Sequence, residues 1–315
     1  MSTTRFAASA PARCGILGNP SDIYGGKVLA CSAPVRARCE LRVSESNHLP
    51  EDSRLWKAAT DAFPIDKPVK VIWNTEIPRS SGLSGSTALL AATLASVLAM
   101  RGEAPKLDTL SDRSQFAERL RHIERYGADI MCGYQDAYMI CHGGIQLMDF
   151  QGKNPIDAGP LAKLTPLDAP LPFLLVTTGV ERLSGSVHGP MSNRWLEGDP
   201  DVREGIARIS ELAEPGARHL LEGDWAALGR LMNKNQNIIA HLGGSGDSVD
   251  ALIASCKEFG VLGAKLAGAG MGGTIIALTE DAAGLELWLR SKGYQRFLKP
   301  AKVAGIRIEM AANEV

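Results

Sequence analysis

Residues 69–101 constrain the fold more than any other part of the chain. A stiff run rich in Val and Ile, "VKVIWNTEI" (69–77), is followed by "PRSSGLSG" and then by 85–101. In that last stretch Leu89, Leu90, Thr93, Leu94, Val97 and Leu98 recur at helical spacing. The order is strand, loop, helix. A plain turn needs one glycine or one capping serine. This one holds Gly82, Gly85, Ser80, Ser81, Ser84 and Ser86. The first amides of a helix have no internal partner and carry the positive end of the helix dipole. Glycines let an anion approach the backbone, and serine hydroxyls add donors, which is the recipe for a phosphate site. Taken alone, the loop fits an ordinary N-cap with a spare serine equally well. It is not a P-loop, because no Gly-Lys-Ser/Thr follows.

The flanking chain mixes strands and helices. "RCGILG" (13–18) reads as a strand stopped by Gly18-Asn19-Pro20, and 27–43 as a strand interrupted at Pro34. A helix is expected near 111–126 and a strand at 143–150. Residues 152–170 hold four prolines and mark a boundary or crossover. Beyond them come a strand (171–178), helical stretches at 200–222, 224–241 and 247–259, and two strands (262–268, 273–279). A helix (281–292) and a strand (304–310) close the chain. This rhythm predicts an α+β chain of two domains, 1–165 and 166–315. Ordered chain is expected from Arg13, after a start rich in Ser, Ala and Arg.

Apolar residues make up 45% of the 315, charged residues 22%, and the net charge is −1. That describes a soluble globular chain with a real core. It argues against a nucleic-acid partner, as does an aromatic content of 5%. No apolar run is long enough to span a membrane. The six cysteines form no C-x-x-C pair and no zinc pattern, so reduced thiols in a cytoplasmic protein are expected. No motif speaks to oligomeric state.

Two further glycine-rich stretches stand out. "LGAKLAGAGMGGTIIALTE" (262–280) places Gly268, Gly270, Gly272 and Gly273 between two strands. A hairpin needs one or two glycines. Four suggest either close approach of a ligand or tight strand–helix packing. In "GILGNPSDIYGGKV" (15–28), Asn19, Ser21 and Asp22 leave a strand end, a common place for substrate contacts and equally a plain turn.

Together, in this order, the three stretches resemble the GHMP kinase superfamily. Its second motif is matched by Pro78, Gly82-Leu83-Ser84 and Ser86-Thr87, its Gly-rich hairpin by Gly268–Gly273, and its first motif by Arg13 through Gly26. "ERYGADIMCGYQDAY" (124–138) looks like the galactokinase-type segment, with Glu124, Cys132-Gly133 and, twelve residues after the glutamate, Asp136. The resemblance implies a ribosomal S5 domain 2-like N-terminal domain and a ferredoxin-like C-terminal domain, with the site in the cleft between them. It implies ATP and Mg²⁺, with Ser81, Gly82, Leu83, Ser84, Gly85, Ser86 and Thr87 around the nucleotide. Ser86 and Glu124 would be magnesium ligands, Asp136 the catalytic base, and Arg13 its partner. One carboxylate with a hydroxyl suits Mg²⁺, and an alcohol nucleophile needs a proton acceptor. Read from the residues alone, Asp136 also fits a helix cap, Glu124 a solvated helix face, and Arg194 a surface residue.

Where galactokinases read Gly-Glu-His-x-Asp, this chain reads Gly18-Asn19-Pro20-Ser21-Asp22, which with Tyr24 is closer to plant glucuronokinases. "SGSVHGPMSNRWLEGD" (184–199) looks like that branch too. The resemblance implies phosphorylation of a small sugar or uronic acid at its anomeric hydroxyl. Asp22, Tyr24 and Gly270 would contact the substrate, and Arg194 would meet its carboxylate or a phosphate. A mevalonate-type kinase and a catalytically silent sugar sensor are the alternatives.

Overall fold

The computed structural model describes residues 5–156, 158–180, 185–268 and 273–309, without the side chains of 185–189. Strands β1 (Arg5–Leu17) and β2 (Lys27–Val43) form a long antiparallel pair. Pro34 does not break β2. Ala33 pairs with Ala12 and Arg36 with Pro11, so Pro34 and Val35 form a bulge, where a residue without an amide hydrogen is tolerated. β1 begins at Arg5, well before the expected Arg13. Its first half, "RFAASAPA", is poor in β-branched residues. It is a strand because both of its faces are covered and Ala7 through Leu17 are all buried.

After β2 come α1 (Arg54–Ala62), β3 (Val69–Thr75), α2 (Gly85–Met100), α3 (Leu110–His122), α4 (Tyr134–His142), β4 (Ile145–Asp149) and β5 (Lys163–Leu167). The sheet order is β10-β1-β2-β4-β5, and β3 pairs with the C-terminal half of β2. β10 (Arg307–Glu309) returns from the far end of the chain to pair with β1. The expected boundary at 165 falls within β5, a strand of this first sheet. α2 is apolar on nearly every side and packs against β1 and β2, as a helix without a polar face must.

The second half holds β6 (Phe173–Thr177), α5 (Gly185–Leu196), α6 (Pro200–Ser210), α7 (Ala213–Glu222), α8 (Trp225–His241), α9 (Asp247–Phe259), β7 (Gly263–Leu266), β8 (Thr274–Leu278), α10 (Ala282–Ser291) and β9 (Phe297–Leu298). The expected helix over 200–222 is two helices, α6 and α7. β6, β7, β8 and β9 form an antiparallel sheet in the order β7-β8-β6-β9. Counted from β6, this is the 4-1-3-2 order of a ferredoxin-like βαββαβ unit. The sheet is buried on both faces. Leu174, Val176, Ile275 and Ala277 join a helical core, while Phe173, Leu175, Ile276 and Leu278 join the core of the first sheet. That shared core holds the two halves against each other and fixes the loops that meet between them. All six cysteines are buried and unpaired, and no described helix is long and apolar enough to cross a membrane.

Candidate active site

Strand alternation makes the centre of the site. Ala12 and Cys14 point into the core, so Arg13 projects to the opposite face of β1. Its Nε donates to Asp136 Oδ1 at 2.6 Å, and a second guanidinium nitrogen pairs with the same oxygen. Its Nη1 donates to the carbonyls of Gly82 (2.8 Å) and Ala267 (3.2 Å). One buried side chain thus ties β1 to α4, to the loop before α2 and to the turn after β7. Asp136 lies in the first turn of α4. Its Oδ2 accepts the Gly133 amide at 3.2 Å, and its Oδ1 also accepts the Ser84 hydroxyl at 2.8 Å.

Ser84 is the N-cap residue of α2, held at φ +62°, and its side chain does not cap the helix because it is turned to Asp136. The first turn of α2, beginning Gly85-Ser86-Thr87, therefore keeps its outward amides and its positive dipole end for another anion. The two glycine-rich loops close over this point. A Cβ on Gly268 would stand 2.5 Å from the Gly82 carbonyl oxygen, and one on Gly273, at φ +87°, 2.7 Å from that of Ser81. Glycine is required here for contact between two backbones as well as for turning. Leu83 is buried and accepts the Arg13 amide at 3.3 Å, whereas the buried Ser81 hydroxyl has no partner among the described residues.

Glu124 sits in a single π-turn, Ile123–Gly127, that ends α3. Such turns re-aim a side chain. Its Oε1 accepts the hydroxyls of Ser86 (2.9 Å) and Thr87 (3.0 Å). Its Oε2 is buried with no hydrogen-bond partner among the described residues. Burial pushes the carboxyl up to about 7, the Ser86 and Thr87 hydroxyls opposing and the Asp136 charge adding to the rise. Among the described residues no group of three His, Cys, Asp or Glu comes together for a metal. One carboxylate with a spare oxygen beside a serine hydroxyl is instead a donor set for a hard cation that arrives with phosphates. The residues present fit Mg²⁺ in that role.

The expected substrate contacts divide. Asp22, in a 3₁₀ turn at Ser21–Tyr24, is fully buried and accepts Gln135 N (3.0 Å) and Gln135 Nε2 (3.2 Å). It can approach because residue 133 is glycine; a Cβ there would lie 2.3 Å from Asp22 Oδ2. Burial, and then the Asp136 charge, raise Asp22 to about 6. Asp22 thus braces the start of α4. Tyr24 stacks obliquely on Trp195, ring centroids 5.4 Å apart, and burial pushes its hydroxyl up to about 12. Arg194 is not joined to the Arg13–Asp136 cluster. It pairs with Asp199 at 2.8 Å and donates to the Leu242 carbonyl at 3.2 Å. Gly270 lies outside the described residues. An open groove between α6 and α8, at Glu204, Arg208 and Lys234, shares no residue with this cluster.

Sequence reading missed a buried polar network beside the site. Lys265 is 1% exposed and donates to Asn19 Oδ1 (2.7 Å) and the Leu266 carbonyl (2.5 Å). Asn19 donates onward to the Gly268 carbonyl at 3.0 Å, and Asn235 accepts the Gly18 amide at 3.0 Å. The loop after β1 is therefore bolted to the glycine-rich turn. Desolvation lowers Lys265 to about 7. The lysine just before that turn was the available signal, but its burial is not written in sequence.

Residues 53–144 match the model of the GHMP kinases N terminal domain, and 217–289 match that of GHMP kinases C terminal, together just over half of the chain. The chain belongs to the GHMP kinases. It is accordingly an ATP-dependent phosphotransferase. This GHMP kinase is 27% identical to a mevalonate kinase of Aeropyrum pernix, over 96% of its own length and 98% of the relative's. It is 26% identical to a protein of Arabidopsis thaliana named probable glucuronokinase 2, over 94% and 91%. In fold it is similar to Lactococcus lactis galactokinase complexed with galactose (TM-score 0.74, 18% identity, covering 97% and 95%). The two-domain GHMP architecture expected from the motifs is the one observed.

Proposed function

We propose that this kinase transfers the γ-phosphoryl of ATP to a sugar hydroxyl, the anomeric hydroxyl of a uronic acid or aldose. The observation that carries the reading is the buried Arg13–Asp136–Ser84 cluster, set where the start of α2 meets the turn after β7. The triphosphate lies against the loop Ser81–Thr87 and the first turn of α2. Ser86 and Glu124 would hold Mg²⁺, which when bound neutralises charge on the phosphates. Asp136 accepts the acceptor's hydroxyl proton on Oδ2, the oxygen that Arg13 does not hold. The acceptor oxygen then bonds to the γ-phosphorus, the bond to the β–γ bridging oxygen breaks, and ADP leaves. Arg13 fixes the carboxylate in place and offsets charge as the phosphoryl passes. A sugar hydroxyl reaching Asp22 has to exchange with the Gln135 side chain, so Asp22 and Gln135 act together on the acceptor side.

The preference for a sugar rests on the loops at 18–26 and 134–150, which are similar to glucuronokinases. The match to a mevalonate kinase over nearly the whole chain keeps a mevalonate-type acceptor as the second reading. An ADP-release screen across uronic acids, aldoses and mevalonate, with and without Mg²⁺, decides between them. Turnover confined to mevalonate sinks the sugar reading. Nucleotide and sugar binding without ADP release makes the chain a sensor.

A further inference from the structure

Arg121 is a buried cation with no carboxylate paired to it among the described residues. It lies on the face of α3 that packs on α4 and is 5% exposed. Its Nε is buried without a hydrogen-bond partner, and no carboxylate lies within ion-pair distance of it among the described residues. Its guanidinium stacks on the Tyr134 ring, Cζ 3.6 Å from the centroid. A second cation, Lys153, lies 4.6 Å from the same centroid. The nearby carboxylate, Glu118, is already engaged: its Oε1 accepts Lys153 Nζ at 2.6 Å and the Tyr138 hydroxyl at 2.6 Å. Glu124, one turn beyond Arg121, gives its Oε1 to Ser86 and Thr87. Neither carboxylate therefore reaches Arg121.

Burying a guanidinium without an anion is costly, and stacking on one aromatic ring returns only part of that. A fold that keeps such a group next to its reaction centre has left the pair for a ligand to complete. The neighbourhood is the right one. Tyr134 stands between Gly133, against which Asp22 packs, and Gln135, which donates to Asp22. The Cys132 thiol, raised by burial, also feels the charges of Glu124, Arg121 and Asp136. The guanidinium fork matches a carboxylate in bidentate fashion. We propose that Arg121 is the anchor for a carboxylate on the acceptor, so that this kinase is built for an acidic acceptor such as a uronic acid. Arg194, by contrast, already has an anion of its own in Asp199. The proposal rests on the kinase reading above. A phosphate of the nucleotide is the other anion that could reach Arg121, but the open start of α2 already offers the phosphates a separate cradle.

The test uses the full chain, Arg121→Gln and Arg121→Lys. Calorimetric titration with D-glucuronate and with D-glucose reads the site without turnover. Arg121→Gln is expected to weaken glucuronate binding roughly 10- to 100-fold, the range for a charge-assisted pair, with Arg121→Lys in between and glucose changed far less. In steady-state assays the KM for glucuronate rises by a similar factor, and the KM for ATP moves less. Equal losses for glucuronate and glucose overturn the proposal, as does unchanged glucuronate binding. A shift confined to the KM for ATP overturns it in favour of a phosphate site. An Arg121→Gln chain that fails to fold also overturns it, since an arginine without an internal anion has no ion pair to lose. If the wild type phosphorylates nothing in the panel, the kinase reading on sugars fails, while the titration still decides the role of Arg121.

Discussion

Two buried arginines flank the first turn of α4 under opposite conditions. Arg13 is saturated: Asp136 and two backbone carbonyls take its nitrogens. Arg121 has an aromatic ring and no anion among the described residues. The contrast extends to their surroundings. Around Arg13 the polar atoms are matched within the chain, which holds the Asp136 carboxylate in one geometry before any ligand arrives. Around Arg121, Asp22 and the start of α2, several buried polar atoms have no partner among the described residues: Arg121 Nε, Glu124 Oε2, Ser81 Oγ and Gln135 Oε1. On the reading proposed above, the groups assigned to the chemistry are fixed from inside, and the groups assigned to ligands keep valences to spare.

Substitutions can break this contrast. The largest effect belongs to Asp136→Asn, which keeps the shape but removes the proton acceptor. Turnover should fall by about 10²–10⁴-fold with nucleotide affinity nearly unchanged, read from steady-state rates and a nucleotide titration. Stability comes next. Arg13→Gln leaves Asp136 buried without its cation and should cost about 3–5 kcal/mol in denaturant unfolding. Arg121→Gln removes a charge that no carboxylate among the described residues balances, so the ligand-free chain should be as stable as wild type or more so. A loss in Arg121→Gln as large as in Arg13→Gln would erase the distinction between the two sites.

Gly268→Ala sharpens the contrast from the nucleotide side. Its Cβ would push on the Gly82 carbonyl, 2.5 Å away. Forcing the two loops apart should cost about 1–3 kcal/mol and raise the KM for ATP more than that for the acceptor.

The smallest effect is in pH. Glu124 is raised from 4.5 to about 7 in the fold. Between those values the folded chain holds a proton that the unfolded chain has released. The stability this lends is complete below 4.5 and is lost as pH rises through 7. Asp22, raised to about 6, contributes in the same direction. Ligand-free melting temperature should therefore fall between about pH 5 and pH 7.5, and Glu124→Gln should flatten that fall. Affinity for the magnesium–nucleotide pair should rise over the same range as the carboxylate ionises.

How much of this was legible in the sequence differs by region for physical reasons. The loop at 80–87 was legible because turn and anion chemistry are local: glycines and serines announce themselves. The spacing of Glu124 and Asp136 was legible too, although α4 was not, since its first eight residues are all buried and give no polar face to read. The first half of β1 was missed because an Ala-rich segment becomes a strand through burial alone. The resting contact of Arg194 was not legible either: it is held by Asp199, five residues on, which also caps α6. Lys265 and Arg121 were invisible for a deeper reason. In "LRHIER" an arginine looks like part of a solvated helix face, and only the packing of α3 on α4 removes it from water.

The most direct test of the whole account is the position of the transferred phosphate. Wild-type protein incubated with ATP, Mg²⁺ and D-glucuronate should yield ADP and a sugar phosphate whose phosphorus NMR signal couples to the anomeric proton. ADP release without that coupled signal, or a product formed on mevalonate and on none of the sugars, would contradict it.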